Sequence, residues 1–207
     1  MNATNATTDW IYLASQSPRR AQLLEQLGVA HQTLLPAADE DAEALELQRP
    51  AERPDDYVRR VTTNKLEAAL LRRARRELPL HPVLCSDTTV ALGAEILGKP
   101  ADAEDALRIL RHLSGQTHRV LTAVSLAWGV GQQAQLVSVS EVRFASIPDV
   151  ALRRYAASGE PMGKAGAYAV QGRMAAWIEH LEGSYSGIMG LPLFETATLL
   201  RRAGIDC

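Results

Sequence analysis

Val83-Leu-Cys-Ser-Asp-Thr-Thr-Val-Ala-Leu92 constrains this chain more than any other stretch. Its two ends are apolar on both faces, the pattern of a strand covered from above and below, so it belongs in the middle of a sheet with layers on each side. Asp87 stands inside that run. A carboxylate there must be paired, bound to a metal or used in chemistry, because an isolated buried charge is too costly. An aspartate closing a local turn with Thr88 is the plain alternative.

The segments around this strand predict an α/β fold on a mixed sheet. Ile11–Leu13 reads as a short apolar strand. Ser17 is an N-cap and Pro18 a first helical residue, with Leu23, Leu24 and Leu27 as the inner stripe and Gly28 as the stop. A second strand runs from His31 to Leu35. Ala42–Pro54, acidic and broken by prolines, reads as a mobile loop. A long helix begins at Asp55 and Asp56 and reaches about Leu78. Asp102 caps a helix ending near Leu113, and Arg119–Trp128 and Gln135–Phe144 form a hairpin about Gly129-Val-Gly131. Pro148 opens a helix to about Ala157. Trp177–Leu181 is a strand, Gly183–Gly187 a tight loop, and Pro192 opens a last helix ending near Arg202. Irregular alternation with a hairpin excludes a regular doubly wound sheet.

Charge placement then singles out candidate residues. Arg19 and Arg20 occupy a first helical turn, where the macrodipole is positive and free N–H groups point outward. Two solvated arginines are one reading; an anion such as phosphate held by both guanidinium groups is the other. The chain has nineteen arginines and only three lysines, Lys65, Lys99 and Lys164. In a chain so biased, a retained lysine hints at a site needing a compact point charge. Lys65 shares the inner stripe of the long helix with Val58, Val61 and Ala69, so it calls for a phosphate or carboxylate opposite, or snorkels to the rim. The arginines Arg72, Arg73, Arg75 and Arg76 read as the solvated outer face. Asp39-Glu40-Asp41 is either a solvated turn or a carboxylate source for Mg²⁺ or Mn²⁺. Gln171, beside Gly172, carries an amide that can donate and accept at a base edge.

Composition excludes several classes. A net charge of −2 gives no basic field for duplex nucleic acid. Cys85 and Cys207 alone make a disulfide or zinc framework improbable, which points to a reducing cytoplasm. No apolar run reaches membrane-spanning length, and residues 1–9 read as a frayed tail with no signal-peptide core. The glycine patterns match neither the Walker loop nor the dinucleotide fingerprint. The length suits a single domain over residues 1–207.

With these residues gathered, the chain resembles the Maf family of nucleoside triphosphate pyrophosphatases from Tyr12 to about Leu200. The marks are Ala14-Ser-Gln-Ser-Pro-Arg-Arg20, Ser86-Asp-Thr88, Leu97-Gly-Lys-Pro100, Ser114-Gly-Gln-Thr-His118 with Thr122, Lys164-Ala-Gly-Ala-Tyr168, Gln171-Gly172, and Gly183-Ser-Tyr-Ser186 followed by Gly190-Leu-Pro-Leu193. The resemblance implies an elongated α/β fold with two lobes around a cleft, akin to inosine-triphosphate pyrophosphatases. It implies cleavage of a nucleoside triphosphate between the α and β phosphates with a divalent cation, Mg²⁺ or Mn²⁺, and members are often homodimers. Ala167-Tyr168 with Gln171-Gly172 resembles the branch acting on dTTP and UTP. Asp87 matches the proposed proton acceptor, and Arg19, Thr88 and Gln171 match positions tied to substrate choice. Glu40, Lys65 and Lys99 fall around the phosphates, with Glu40 and Asp87 as metal ligands. Ser15, Ser17, Arg20 and Lys164, within the matched motifs, are further substrate contacts. A nucleotide-binding regulator of septum formation without turnover, and a pyrophosphatase of other base preference, are the rival readings.

Overall fold

The computed structural model describes residues 10–38 and 40–207. The tail of residues 1–9 and Asp39, one of the three candidate acids, lie outside the described residues.

Seven strands form one mixed sheet: β1 (Ile11–Leu13), β2 (His31–Thr33), β3 (Val83–Leu92), β4 (Glu95–Leu97), β5 (Thr117–Gly129), β6 (Gln132–Phe144) and β7 (Ile178–Glu182). The order is β2-β1-β3-β5-β6-β7, with β4 paired to the end of β3. β1 runs parallel to β2 and β3; the other pairings are antiparallel. The helices are α1 (Pro18–Gln26), α2 (Pro54–Arg75), α3 (Ala103–Leu113), α4 (Asp149–Ala156), α5 (Tyr185–Met189) and α6 (Leu193–Arg202), with 3₁₀ turns at Ala44–Glu46, Ala165–Ala167 and Arg173–Trp177. This is the α/β mixed sheet with flanking helices that the sequence implies.

β3 is central, as its two-sided apolar pattern requires: on the α2 side Val83, Cys85 and Ala127 pack with Leu66 and Ala69, and Ala91, Leu121 and Ala123 with Val58, while on the other side β3 and β5 cross two further cores. Val90 and Val120 pack with Leu107, Leu110 and Leu113 of α3 and Leu152 and Tyr155 of α4. Leu84, Val124 and Leu126 pack with Leu23 and Leu24 of α1 and Leu199 and Leu200 of α6. Between these cores the paired strands turn polar, with Asp87 opposite Ala123 and Thr88 opposite Thr122. Two apolar cores joined through a polar belt leave an opening where water and charge are tolerated, and the cleft lies there.

Local signals explain most helix limits. Asp102 caps α3 by accepting the Asp105 N–H at 2.8 Å. Ser17 holds the N-cap position of α1 but makes no side-chain cap bond; its own N–H instead donates to Ser15 Oγ at 3.1 Å. α2 begins one residue before the acids, at Pro54, and ends at Arg75, three residues short of the expected limit.

Three expectations are corrected. Arg72 does not lie on the wet face of α2: it is 6% exposed, donating to the Leu34 carbonyl at 3.0 Å and to Glu40. The helix leaves it on the same side as Ala69 and Leu66, three and six residues earlier in the chain, and Glu40 supplies its counter-charge. The Ala42–Pro54 segment is not free of structure. It contains the Ala44–Glu46 turn, and Arg60 pins it by donating to the Leu47 carbonyl at 2.9 Å and to both oxygens of Glu52 at 2.6 and 2.7 Å. Gly183–Gly187 is also not a plain loop, because Ser184 caps α5 by accepting the Gly187 N–H at 3.0 Å. No helix among the described residues is long and apolar enough to cross a membrane.

Candidate active site

The polar belt opens into a cleft of about 420 Å³, within the size range of small-ligand sites. Its walls come from the Ala14–Arg20 turn, the middle of β3, the Ile96–Lys99 segment, Gly163–Gln171 and the end of α5. Ser15, Ser17, Arg19, Arg20, Lys65, Asp87, Thr88, Lys99, Lys164 and Gln171 all line it, although they are spread over 157 positions of the chain, from Ser15 to Gln171.

Asp87 is 7% exposed on the floor. Its Oδ1 accepts from Lys65 Nζ at 2.6 Å, and the same ammonium donates to Glu46 Oε1 at 2.7 Å. Lys99 Nζ donates to the other oxygen of Glu46 at 2.6 Å. Burial alone would lower the Lys65 pKa, but the attraction of Asp87 and Glu46 outweighs it and holds the ammonium above its ordinary value. Burial likewise pushes Glu46 up, and the two lysines outweigh that, leaving its carboxyl below the usual range. The stripe position of Lys65 is thereby accounted for: it has its carboxylates opposite.

Arg20 is set differently. Its Nε donates to the Gly190 carbonyl at 2.7 Å, and its terminal nitrogens to Ser15 Oγ at 3.3 Å and Thr88 Oγ1 at 3.4 Å. All three partners are neutral oxygens. Burial pulls its pKa down, with Asp87 and Glu46 pulling the other way at longer range. A guanidinium fixed at the mouth of a helix N-terminus, with its charge answered only at a distance, is ready to meet an anion. Thr122 Oγ1 donates to the Gly187 carbonyl at 2.7 Å and accepts the Thr88 hydroxyl at 3.1 Å, so α5, β3 and α1 are tied at one corner of the cleft. Ser86 Oγ, 2.9 Å from the Gly190 carbonyl, completes that corner. Lys164 faces the same space, its pKa lowered by burial and by Arg19.

Gly98, Gly166 and Tyr168 shape the opposite wall. Gly166 has φ +69° and donates its N–H to the Gly98 carbonyl at 3.1 Å. A Cβ there would stand 2.8 Å from Val90 Cγ1, so glycine is required both for the turn and for the close approach. The Tyr168 hydroxyl meets His118 Nε2 at 2.7 Å, behind the wall. His118 is buried, and burial lowers its pKa to about 4, so it is neutral at neutral pH.

One expected site residue is not brought here. Glu40 does not line the cleft: Arg72 Nε and a terminal nitrogen grip both its oxygens at 2.5 to 3.0 Å, and the Ala37 N–H donates to it at 3.1 Å. Those contacts lower its pKa to about 2, chiefly through the Arg72 hydrogen bonds. The acid that reaches Lys65 and Lys99 is Glu46, six residues on. Sequence pattern could not choose it, because the segment is acidic throughout and has no period that orients one carboxylate. Asp87 and Glu46, two carboxylates that share Lys65, could hold a hard divalent ion, since Mg²⁺ takes one or two carboxylates and completes its shell with water and substrate phosphates. No group of three or more metal-ligating side chains occurs among the described residues.

A cleft with a carboxylate on a central strand and six cationic side chains along its walls can take a chain of phosphates. The family model for Maf-like proteins matches residues 10–203, and the chain belongs to that family. A dTTP/UTP pyrophosphatase from Ralstonia nicotianae is 60% identical over 205 residues, 99% of each chain. A dTTP/UTP pyrophosphatase from Cupriavidus metallidurans is 63% identical over 198 residues, covering 96% of this chain and 98% of its own. Among solved structures, a nucleoside-triphosphatase / dITP/XTP pyrophosphatase from Mycobacterium abscessus overlaps 67% of this chain and 75% of that one, at 18% identity and a TM-score of 0.44.

Proposed function

We propose that this protein is a nucleoside triphosphate pyrophosphatase that hydrolyses dTTP and UTP between the α and β phosphates, releasing the monophosphate and pyrophosphate. The observation that carries the reading is the convergence of Asp87, Lys65, Lys99 and Arg20 in one cleft. The identity to relatives bearing the dTTP/UTP pyrophosphatase name supports the choice of substrate.

Asp87 is the proton acceptor for the attacking water. Lys65 engages Oδ1, leaving Oδ2 to receive the proton. Arg20, Lys65 and Lys99 take up the negative charge that grows on departing pyrophosphate, the main task of a protein in phosphoryl transfer. A Mg²⁺ or Mn²⁺ ion, held by Asp87 and Glu46 with the substrate phosphates, would supply Lewis-acid polarisation and acidify bound water. Because Glu40 is committed to Arg72, Glu46→Gln should raise the Mg²⁺ concentration for half-maximal turnover about tenfold. Glu40→Gln should shift it by less than about twofold; a metal titration of both variants decides between the two acids.

Gln171 reads the base, with the backbone near Thr88. Gln171→Ala should lower kcat/KM for dTTP and UTP about tenfold while changing other nucleotides less, because a base edge left without its partner is what a polar site rejects. An equal loss on every triphosphate counts against that role. Cys85 and Cys207, both free thiols, support a reducing cytoplasm as the working compartment. The whole reading is tested by incubating the protein with a panel of triphosphates and Mg²⁺ and assaying pyrophosphate against orthophosphate. Pyrophosphate from dTTP and UTP supports it; binding without turnover points to a regulator, and a purine preference to another specificity.

A further inference from the structure

Gln171 sits on an irregular turn, and such a turn needs outside support before an amide on it can discriminate bases. That support comes from Glu160, which does not line the cleft. Glu160 Oε1 accepts the Arg173 N–H at 3.0 Å and the Tyr155 hydroxyl at 3.3 Å. Gly172, between Gln171 and Arg173, donates its N–H to the Ala169 carbonyl at 3.0 Å and closes the turn. A Cβ on Gly172 would stand 2.1 Å from Glu160 Oε1, so the carboxylate rests directly against the backbone that follows Gln171. The main-chain carbonyl of Glu160 also accepts from Lys164 Nζ. One residue behind the wall thus ties the end of α4 to the turn bearing Gln171 and to a cleft lysine.

We propose that Glu160 is a positioning residue for base recognition, fixing the Gln171 turn from behind. The role rests on the reading of Gln171 given above. Three features favour it over general bracing. Its carboxylate touches the two residues that follow Gln171, its backbone holds a side chain of the same cleft, and the position opposite is occupied by the one residue type that leaves it room.

The test compares Glu160→Ala, Glu160→Gln and Gly172→Ala with the wild type, using the full chain with dTTP, UTP, dCTP and GTP. Glu160→Ala should raise KM for dTTP and UTP about tenfold with kcat within about threefold, and preference over dCTP and GTP should fall in step. Glu160→Gln keeps an acceptor oxygen for the Arg173 N–H and should restore most of the loss. Gly172→Ala, pressing on the same contact with Glu160 intact, should reproduce the KM rise. Amide exchange at Arg173, measured by NMR without substrate, should quicken about tenfold in Glu160→Ala and stay near wild type in Glu160→Gln. Unchanged exchange in Glu160→Ala, or kcat falling with KM and preference kept, overturns the proposal. A wild type that turns over all four triphosphates alike refutes base reading by Gln171 itself, whereas a selective wild type with an equally selective Glu160→Ala refutes only the role of Glu160.

Discussion

Asp87→Asn should lower pyrophosphate release from dTTP by about three orders of magnitude while leaving the melting temperature within a few degrees. The amide is isosteric, so its oxygen can still accept from Lys65, and Lys65 keeps Glu46 as its anionic partner. The strand therefore loses little. What disappears is the proton acceptor, whose positioned transfer is worth about 10² to 10⁴ in rate, and with it one negative charge for a cation. Activity within about tenfold of wild type, in a folded variant, would remove Asp87 from the chemistry.

Arg20→Met is the second large effect, an expected loss of about 10² to 10³ in kcat/KM with melting held within a few degrees. The Gly190 carbonyl that accepts Arg20 Nε lies 2.9 Å from Ser86 Oγ, as does the Ala123 carbonyl, so with the guanidinium gone the Ser86 hydroxyl can turn its hydrogen to Gly190. Thr88 keeps Thr122. A thioether of similar length fills the space, and no opposite charge is stranded in direct contact. The transition state, by contrast, loses a fixed cation where pyrophosphate departs, and removing one such stabilising donor costs about 10² or more. A variant with a melting temperature down by more than about 5 °C and unaltered kcat/KM would make Arg20 a structural strut.

Much of this was legible in the chain because short-range rules governed it. The two-sided apolar pattern around Asp87 marks a central strand, and a central strand is where a buried carboxylate must find a partner. Asp102, Pro18 and the Gly129–Gly131 hairpin each act within a few residues. Lys65 falls on the inner stripe because the helical repeat alone puts it there. Arg72 follows the same repeat, seven residues further on, yet the three arginines around it suggest solvent. Its burial depends on Glu40, a residue 32 positions away, and no local pattern announces that pairing. Glu46 was missed for a related reason: which acid of an irregular acidic segment reaches two lysines is decided by where Arg60 and Tyr57 pin the chain, with the Tyr57 hydroxyl donating to the Glu46 carbonyl at 2.7 Å. The Ser184 cap of α5 was visible in principle as a capping side chain three residues before Gly187, and two glycines obscured it. Glu160 gave no signal at all, since its meaning lies in what a Cβ at Gly172 would strike.

The central claim is that water attacks the α-phosphorus in the Asp87 cleft. It is tested most directly by hydrolysing dTTP in ¹⁸O-labelled water and locating the label by mass spectrometry. Attack at the α-phosphorus puts one labelled oxygen in the monophosphate and leaves pyrophosphate unlabelled; label in pyrophosphate, or release of orthophosphate in its place, would put the attack at another phosphorus.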